Sequence, residues 1–194
     1  GDLLKDPALI GGDYIVYSSG TTSSPKGIRG SHSSLLQFLL GFIDEMKLDS
    51  DEVSLNATNI GFDVFYREVF PALLCGGSII VLNDCIIGHS NHIGQILADK
   101  SVTTLNIVPS IAEVLLIHQK KCEFQPLNVL KRVLFAGEPL HWELVCNWRN
   151  IFGVARMGEF NCYGPSETTL ARFFYRIGVN EDDGVLPVGR PMPG

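Results

Sequence analysis

An alternation constrains this chain more than any other feature. From Tyr14 to Ile177, short runs rich in β-branched and aromatic residues take turns with longer stretches of helical periodicity. Tyr14–Tyr17, Val53–Asn59, Ser78–Asn83, Thr103–Val108, Val129–Ala136, Phe160–Tyr163 and Leu170–Ile177 read as strands. Between them, Ser31–Lys47 carries Leu35, Phe38, Leu39, Phe42 and Met46 on one stripe, with Ser33 or Ser34 as its cap. Further helices are expected over Asp63–Cys75, stopped by Gly76-Gly77, through Ile93, Ile96 and Leu97, over Ile111–Lys120 behind Pro109, and over His141–Phe152. Such a succession predicts an α/β fold of right-handed βαβ units, mostly parallel sheets flanked by helices. Ligands of such sheets sit beyond the carboxyl ends of the strands. Tyr17–Gly27, Gly61-Phe62-Asp63, Ala136-Gly137-Glu138 and Cys162–Glu167 all fall at those ends.

Composition narrows the function classes. Of 194 residues, 45% are hydrophobic and 19% charged, enough apolar mass for buried parallel strands. A net charge of −6 and a pI near 5.3, without a Lys/Arg run, argue against a nucleic-acid partner. Cys75, Cys85, Cys122, Cys146 and Cys162 are odd in number and show no CxxC spacing, which favours free thiols in a reducing compartment over disulfides or metal. No apolar run is long enough to span a membrane. The expected location is cytoplasmic, with mitochondrial import of a longer precursor left open. The chain starts at Gly1 without methionine, so a segment of something longer is expected.

Tyr14–Gly30 is the first stretch with chemistry in it. A strand breaks into hydroxyls and glycine, Ser18 to Pro25, followed by Lys26 and Gly27. Gly20 lets backbone N–H groups turn toward an anion, hydroxyls add donors, and Lys26 adds a mobile charge; polyphosphate fits such a loop. It is not a Walker loop, because Pro25 and Gly27 flank Lys26 where that motif needs Gly and Ser or Thr. A polar surface loop is the alternative. The second stretch is Asn161-Cys-Tyr-Gly-Pro-Ser-Glu-Thr-Thr169. Gly164-Pro165 forces a turn, Tyr163 offers a flat ring, Ser166 can donate to phosphate, and Glu167 is a hard oxygen ligand. Glu167 could instead cap a neighbouring backbone. Asp63, opening an apolar helix, caps that helix or pairs with a cationic substrate group.

These residues resemble the signatures of the adenylate-forming superfamily, the acyl-CoA synthetases, luciferases and non-ribosomal peptide synthetase adenylation domains. Tyr17–Gly27 is similar to its phosphate loop, with Ser23 where the family has Gly; Asn161–Glu167 is similar to its Asn-x-Tyr-Gly-Pro-Thr-Glu, with Ser166 for Thr; Ala136-Gly137-Glu138 resembles its Gly-Gly-Glu segment. The resemblance implies that Ser19, Gly20, Thr21, Thr22, Ser23, Ser24, Pro25, Lys26 and Gly27 bind phosphate. It also implies that Gly137, Glu138, Asn161, Tyr163, Gly164 and Ser166 bind nucleotide, and that Glu167 holds Mg²⁺ and acts with Lys26 in catalysis. In amino-acid-activating members the Phe62-Asp63 aspartate pairs with the substrate ammonium; the Ser usual two residues later is Phe65 here.

The implied acyl pocket is Asp63, Val64, Arg67, Asn106, Leu134, Ala136, Cys162, Leu170 and Ala171. Arg67 either points inward, favouring a small or carboxylate-bearing amino acid, or pairs with Glu68 at the surface. The chain is also similar to animal enzymes that link an adenylation domain to aminoadipate or β-alanine chemistry. The function implied is an ATP- and Mg²⁺-dependent acid–thiol ligase activating an amino acid as its acyl-adenylate for a carrier phosphopantetheine thiol or CoA. The alternatives are an acyl-CoA ligase for a fatty acid, in which Asp63 only caps, and a non-catalytic fragment. By resemblance, residues 1–194 are a partial AMP-binding domain, part of a large N-terminal domain. The segment preceding it, the ribose-binding aspartate and the mobile C-terminal domain with its lysine would then lie outside, and these residues alone are expected not to turn over.

Overall fold

The computed structural model describes residues 13–18, 25–82, 90–119, 127–154 and 158–192. Seven strands form one sheet: β3 (Val53–Asn56), β4 (Ser78–Val81), β5 (Thr104–Ile107), β6 (Arg132–Ala136), β7 (Gly158–Tyr163), β8 (Phe173–Arg176) and β9 (Arg190–Pro191). Their order is β4-β3-β5-β6-β7-β8-β9. The first five run parallel, as the alternation with helices predicts, and β8 and β9 add an antiparallel edge. Among the described residues the α-helices are α1 (His32–Met46), α2 (Val64–Leu74), α3 (Ser90–Asp99), α4 (Pro109–Gln119) and α5 (Trp142–Phe152).

Side-chain alternation along β6 assigns the two faces. Val133 and Phe135 pack with Leu97, Leu115, Val145 and Trp148, so α3, α4 and α5 cover one face. Leu134 and Ala136 pack with Phe38, Phe42 and Met46 of α1 on the other, together with Phe160, Cys162 and Phe174. Burial on both faces is what a parallel sheet requires. The α1 side is also partly polar. Beneath the start of the sheet, Arg132 is fully buried and donates through Nη1 to Glu52 Oε1 at 2.6 Å, while Thr103 and Thr104 donate to Glu52 Oε2 at 2.6 and 2.8 Å. The remaining Arg132 nitrogens reach the carbonyls of Met46 and Lys47 at the end of α1.

The structure corrects the expected elements in several places, among them β9, which was not expected, and the strand expected from Val129, which begins at Arg132. The first strand is not in the main sheet: β1 (Asp13–Ser18) pairs antiparallel with an unforeseen β2 (Lys26–Ser31) in a separate hairpin. Gly27 and Gly30 hide β2, since glycine is a poor strand former. Gly30 is there because the Tyr14 ring lies across it, where a Cβ would overlap the ring. The cap of α1 is Ser31, whose Oγ accepts from Ser34 N at 3.2 Å, rather than Ser33 or Ser34. The strand expected from Leu170 begins at Phe173, because Thr169 and Leu170 both take left-handed φ, 66° and 64°. The strand expected over Val53–Asn59 ends at Asn56, where the chain turns toward α2.

Candidate functional site

The turn after β3 is built by one buried acid. Glu68, on the inner side of α2, accepts from Asn56 Nδ2 at 2.7 Å, Ala57 N at 3.1 Å, Thr58 N at 3.0 Å and Thr58 Oγ1 at 2.9 Å. Burial pushes its carboxyl above the ordinary range, and these donors together with the Arg67 charge pull against that. The turn leads through Asn59–Phe62 to Asp63. Gly61 O accepts from Tyr17 N at 2.7 Å, which sets the β1–β2 hairpin beside the start of α2.

Asp63 precedes α2 with helical φ and ψ and makes no side-chain capping bond. Its Oδ2 instead accepts from Ser166 Oγ at 2.8 Å, across 103 positions of sequence. Ser166–Thr168 is a short 3-10 turn after β7. Gly164 permits that turn: a Cβ there would overlap Leu170 O and Arg172 N, so only glycine lets the two limbs close.

Between these segments lies a cleft of about 500 Å³ at the carboxyl ends of β6 and β7. Asp63, Val64, Arg67, Ala136, Cys162, Leu170 and Ala171 line it, as do Gly137, Glu138, Asn161, Tyr163, Gly164 and Ser166. The remaining expected residues stand elsewhere. Leu134 is fully buried in the α1-side core and does not reach the cleft. Asn106 lies behind Arg67, accepting at Oδ1 from Arg67 Nε at 2.8 Å. Arg67 is not a surface partner of Glu68, since both are buried and Glu68 serves the turn after β3. Pro25, Lys26 and Gly27 are exposed at the end of the hairpin where its connecting loop returns, and Glu167 is exposed on the 3-10 turn. Ser19, Gly20, Thr21, Thr22, Ser23 and Ser24 lie outside the described residues, as do Cys85 and Cys122.

Two expected ligand-binding residues also have structural partners. Glu138 accepts from Ser110 N and Ser110 Oγ, both at 2.9 Å, and so caps α4. Asn161 Nδ2 donates to Pro187 O at 3.0 Å and Leu186 O at 3.3 Å. It thereby pins a wall that sequence reasoning missed: Val185, Leu186 and Val188 line the cleft along with Pro139, Leu140 and Pro165. Leu186 N bonds Leu140 O at 2.8 Å, holding that wall to the turn after β6. Such pairing between irregular segments leaves no periodic signal in sequence.

Electrostatically the cleft is mixed. Arg67 is its buried cation and Asp63 its half-buried acid. Burial raises the Cys162 thiol, with Arg67 pulling it down, so it stays a neutral wall group. Cys75, Cys146 and Cys162 are free thiols. Among the described residues no group of three or more His, Cys, Asp or Glu could hold a metal. Mg²⁺ takes few protein ligands alongside phosphates and water, so a lone exposed carboxylate such as Glu167 is compatible with it. No helix among the described residues is long and apolar enough to cross a membrane.

Comparison with known proteins places this geometry. The AMP-binding enzyme family model matches residues 12–194. Tyrocidine synthase 3 of Brevibacillus parabrevis is 26% identical over 181 residues, 92% of this chain and 3% of that protein. D-alanine–D-alanyl carrier protein ligase of Bacillus cytotoxicus is 30% identical over 158 residues, 81% of this chain and 31% of that protein. The chain thus spans about a third or less of the curated relatives it matches. A Vibrio cholerae adenylation domain, AlmE, solved in complex with glycyl-adenosine-5'-phosphate, superposes with a TM-score of 0.80 at 24% identity, covering 92% of this chain and 32% of that one.

Proposed function

Because the chain belongs to the AMP-binding enzyme family, we propose that the protein is an ATP-dependent ligase that activates an amino acid as its acyl-adenylate. The substrate is small or carboxylate-bearing, β-alanine and aminoadipate being examples, and the acceptor is a carrier-held phosphopantetheine thiol or CoA. A carboxylate oxygen attacks the α-phosphorus of ATP in line, the bond to the β-phosphate breaks, and pyrophosphate leaves with the electron pair. The thiol then attacks the acyl carbon and AMP departs.

One observation carries this reading: the Asp63 carboxylate faces the cleft and meets Ser166 instead of capping α2. A fatty-acid ligase needs no such acid, and capping, the role that reading leaves to Asp63, is absent. The carrier ligase relative supports an amino-acid substrate and a carrier acceptor. In this arrangement Asp63 holds the substrate ammonium, Ser166 donates toward the α-phosphate, and Tyr163, half exposed at the rim, offers its ring to adenine. Lys26, beside the hairpin loop, steadies the departing pyrophosphate. Glu167 would hold Mg²⁺, which when bound neutralises phosphate charge.

Substrate-dependent exchange of labelled pyrophosphate into ATP tests the proposal, run on the whole protein with amino acids and fatty acids. Amino acids should support exchange. Asp63→Ala should abolish it while binding of a fluorescent ATP analogue stays nearly intact. Exchange confined to fatty acids would overturn the reading.

A further inference from the structure

Glu68 is a buried acid to which the reaction above gives no part. It is 2% exposed on the inner side of α2. Its Oε2 takes three donors at once, Asn56 Nδ2, Ala57 N and Thr58 N, and its Oε1 takes the Thr58 hydroxyl. Burying a carboxylate is costly unless donors fill it as they do here. What these bonds add is a closure. They tie Thr58 to Glu68, 10 positions on, and Asp63 stands midway between the two. Ser54 Oγ adds a second tie, donating to the Glu68 carbonyl at 2.7 Å. Within the closure the backbone is braced: Gly61 N donates to Asn59 Oδ1 at 2.9 Å, Phe62 N to Asn59 O at 3.0 Å, and Tyr66 N to Asp63 O at 3.0 Å. Gly61 O leads out of it, accepting from Tyr17 N of the hairpin that carries Lys26.

We infer that Glu68 is a positioning residue: through the Asn56–Thr58 turn it sets where Asp63 meets the substrate ammonium and where the Lys26 hairpin stands. This rests on the ligase reading above. The geometry also says which property of Glu68 matters. The side chain must reach the turn with one oxygen open to three donors. A glutamine amide meets that requirement: its oxygen takes the three, and its NH2 faces the Thr58 hydroxyl, which turns to accept. An aspartate keeps the charge but is one methylene shorter and falls short of the turn. Reach, rather than charge, is therefore what Glu68 supplies. A shift of about 1 Å in a positioning group can cost about a hundredfold in rate. Were Glu68 instead a counter-charge to its neighbour Arg67, aspartate would be the better substitute.

The test uses Glu68→Gln and Glu68→Asp in the whole protein. Pyrophosphate exchange is measured with the amino acid that wild type prefers and with the same acid lacking its amino group, such as β-alanine against propionate or aminoadipate against adipate. The ratio of the two kcat/KM values reads the Asp63 contact, whereas a loss of folded protein scales both alike. Glu68→Asp should lower that ratio about tenfold or more, and Glu68→Gln should keep it within about threefold. Amide hydrogen exchange gives a readout that needs no substrate. In Glu68→Asp the amides of Tyr17, Ala57 and Thr58 should lose protection while those of β5 and β6 keep theirs. Unchanged protection at these three amides overturns the inference, and so does a ratio that Glu68→Asp leaves unmoved. A ratio kept by Glu68→Asp and lost by Glu68→Gln assigns the role to charge and overturns it too. Each of these leaves the ligase reading standing. A wild type that exchanges with no acid overturns both.

Discussion

Lys26 is the first residue of β2 and stands exposed where the hairpin's connecting loop returns. A charged hydrogen bond from it to phosphate is worth about 1.5–3 kcal/mol. Lys26→Ala should therefore slow pyrophosphate exchange by roughly ten- to a hundredfold with the thermal midpoint unmoved; an unchanged rate removes Lys26 from the site. Gly164 answers to sterics instead. Gly164→Ala drives a methyl into the Leu170 carbonyl, and overpacking of this kind costs about 1–3 kcal/mol. Chemical denaturation should read that loss, and a stability equal to wild type would mean the turn relaxes freely. Of the residues expected at the site, Asp63, Ala136, Gly137, Glu138 and Asn161–Ser166 line the cleft, and each sits on a short motif next to a strand end. Whether Asp63 caps α2 was not legible, because a capping and a non-capping acid stand at the same place in sequence; its bond to Ser166, with no capping bond, answers that.

Among the elements, the joint between α1, β5 and β6 is held by charge as well as by packing. Breaking a buried pair by removing one partner costs about 3–5 kcal/mol, since the other charge stays behind. Arg132→Met should lose about that much in urea titration, because Glu52 has no equal replacement: Lys131 reaches it only at 3.3 Å. The pair also sets an acid limit. Burial raises the Glu52 carboxyl, but bonds from Thr103, Thr104 and Arg132 outweigh it and leave the group below its ordinary value. Its contribution is thus complete above the ordinary glutamate range and fades as pH falls through the lowered one. Stability followed downward from about pH 5 should drop more steeply in wild type than in a Glu52→Gln, Arg132→Met double variant. The parallel strands and their helices were legible because burial on one stripe or both faces writes a period into the sequence. The hairpin was not, since Gly27 and Gly30 carry no such period, and neither was the Arg132 network, which joins residues 80 positions apart.

Across the whole molecule, the cleft lies where the α1 side of the sheet meets the wall formed by Val185–Val188. Cys162 reports on its floor, being 3% exposed with its thiol raised by burial, whereas Cys75 and Cys146 are partly open. Iodoacetamide at neutral pH should modify Cys146 before Cys162, read by peptide mass mapping; equal rates would mean that the floor opens to solvent. The Asp63–Ser166 bond has a consequence in time as well as in space. It closes a loop of 103 residues, and loops of that length bring their ends together late and at an entropic cost. While the chain is being made, β3 and α2 leave the ribosome long before the turn that completes the site is synthesised. The contact between Asp63 and Ser166 therefore waits, during synthesis, on the residues that follow β7.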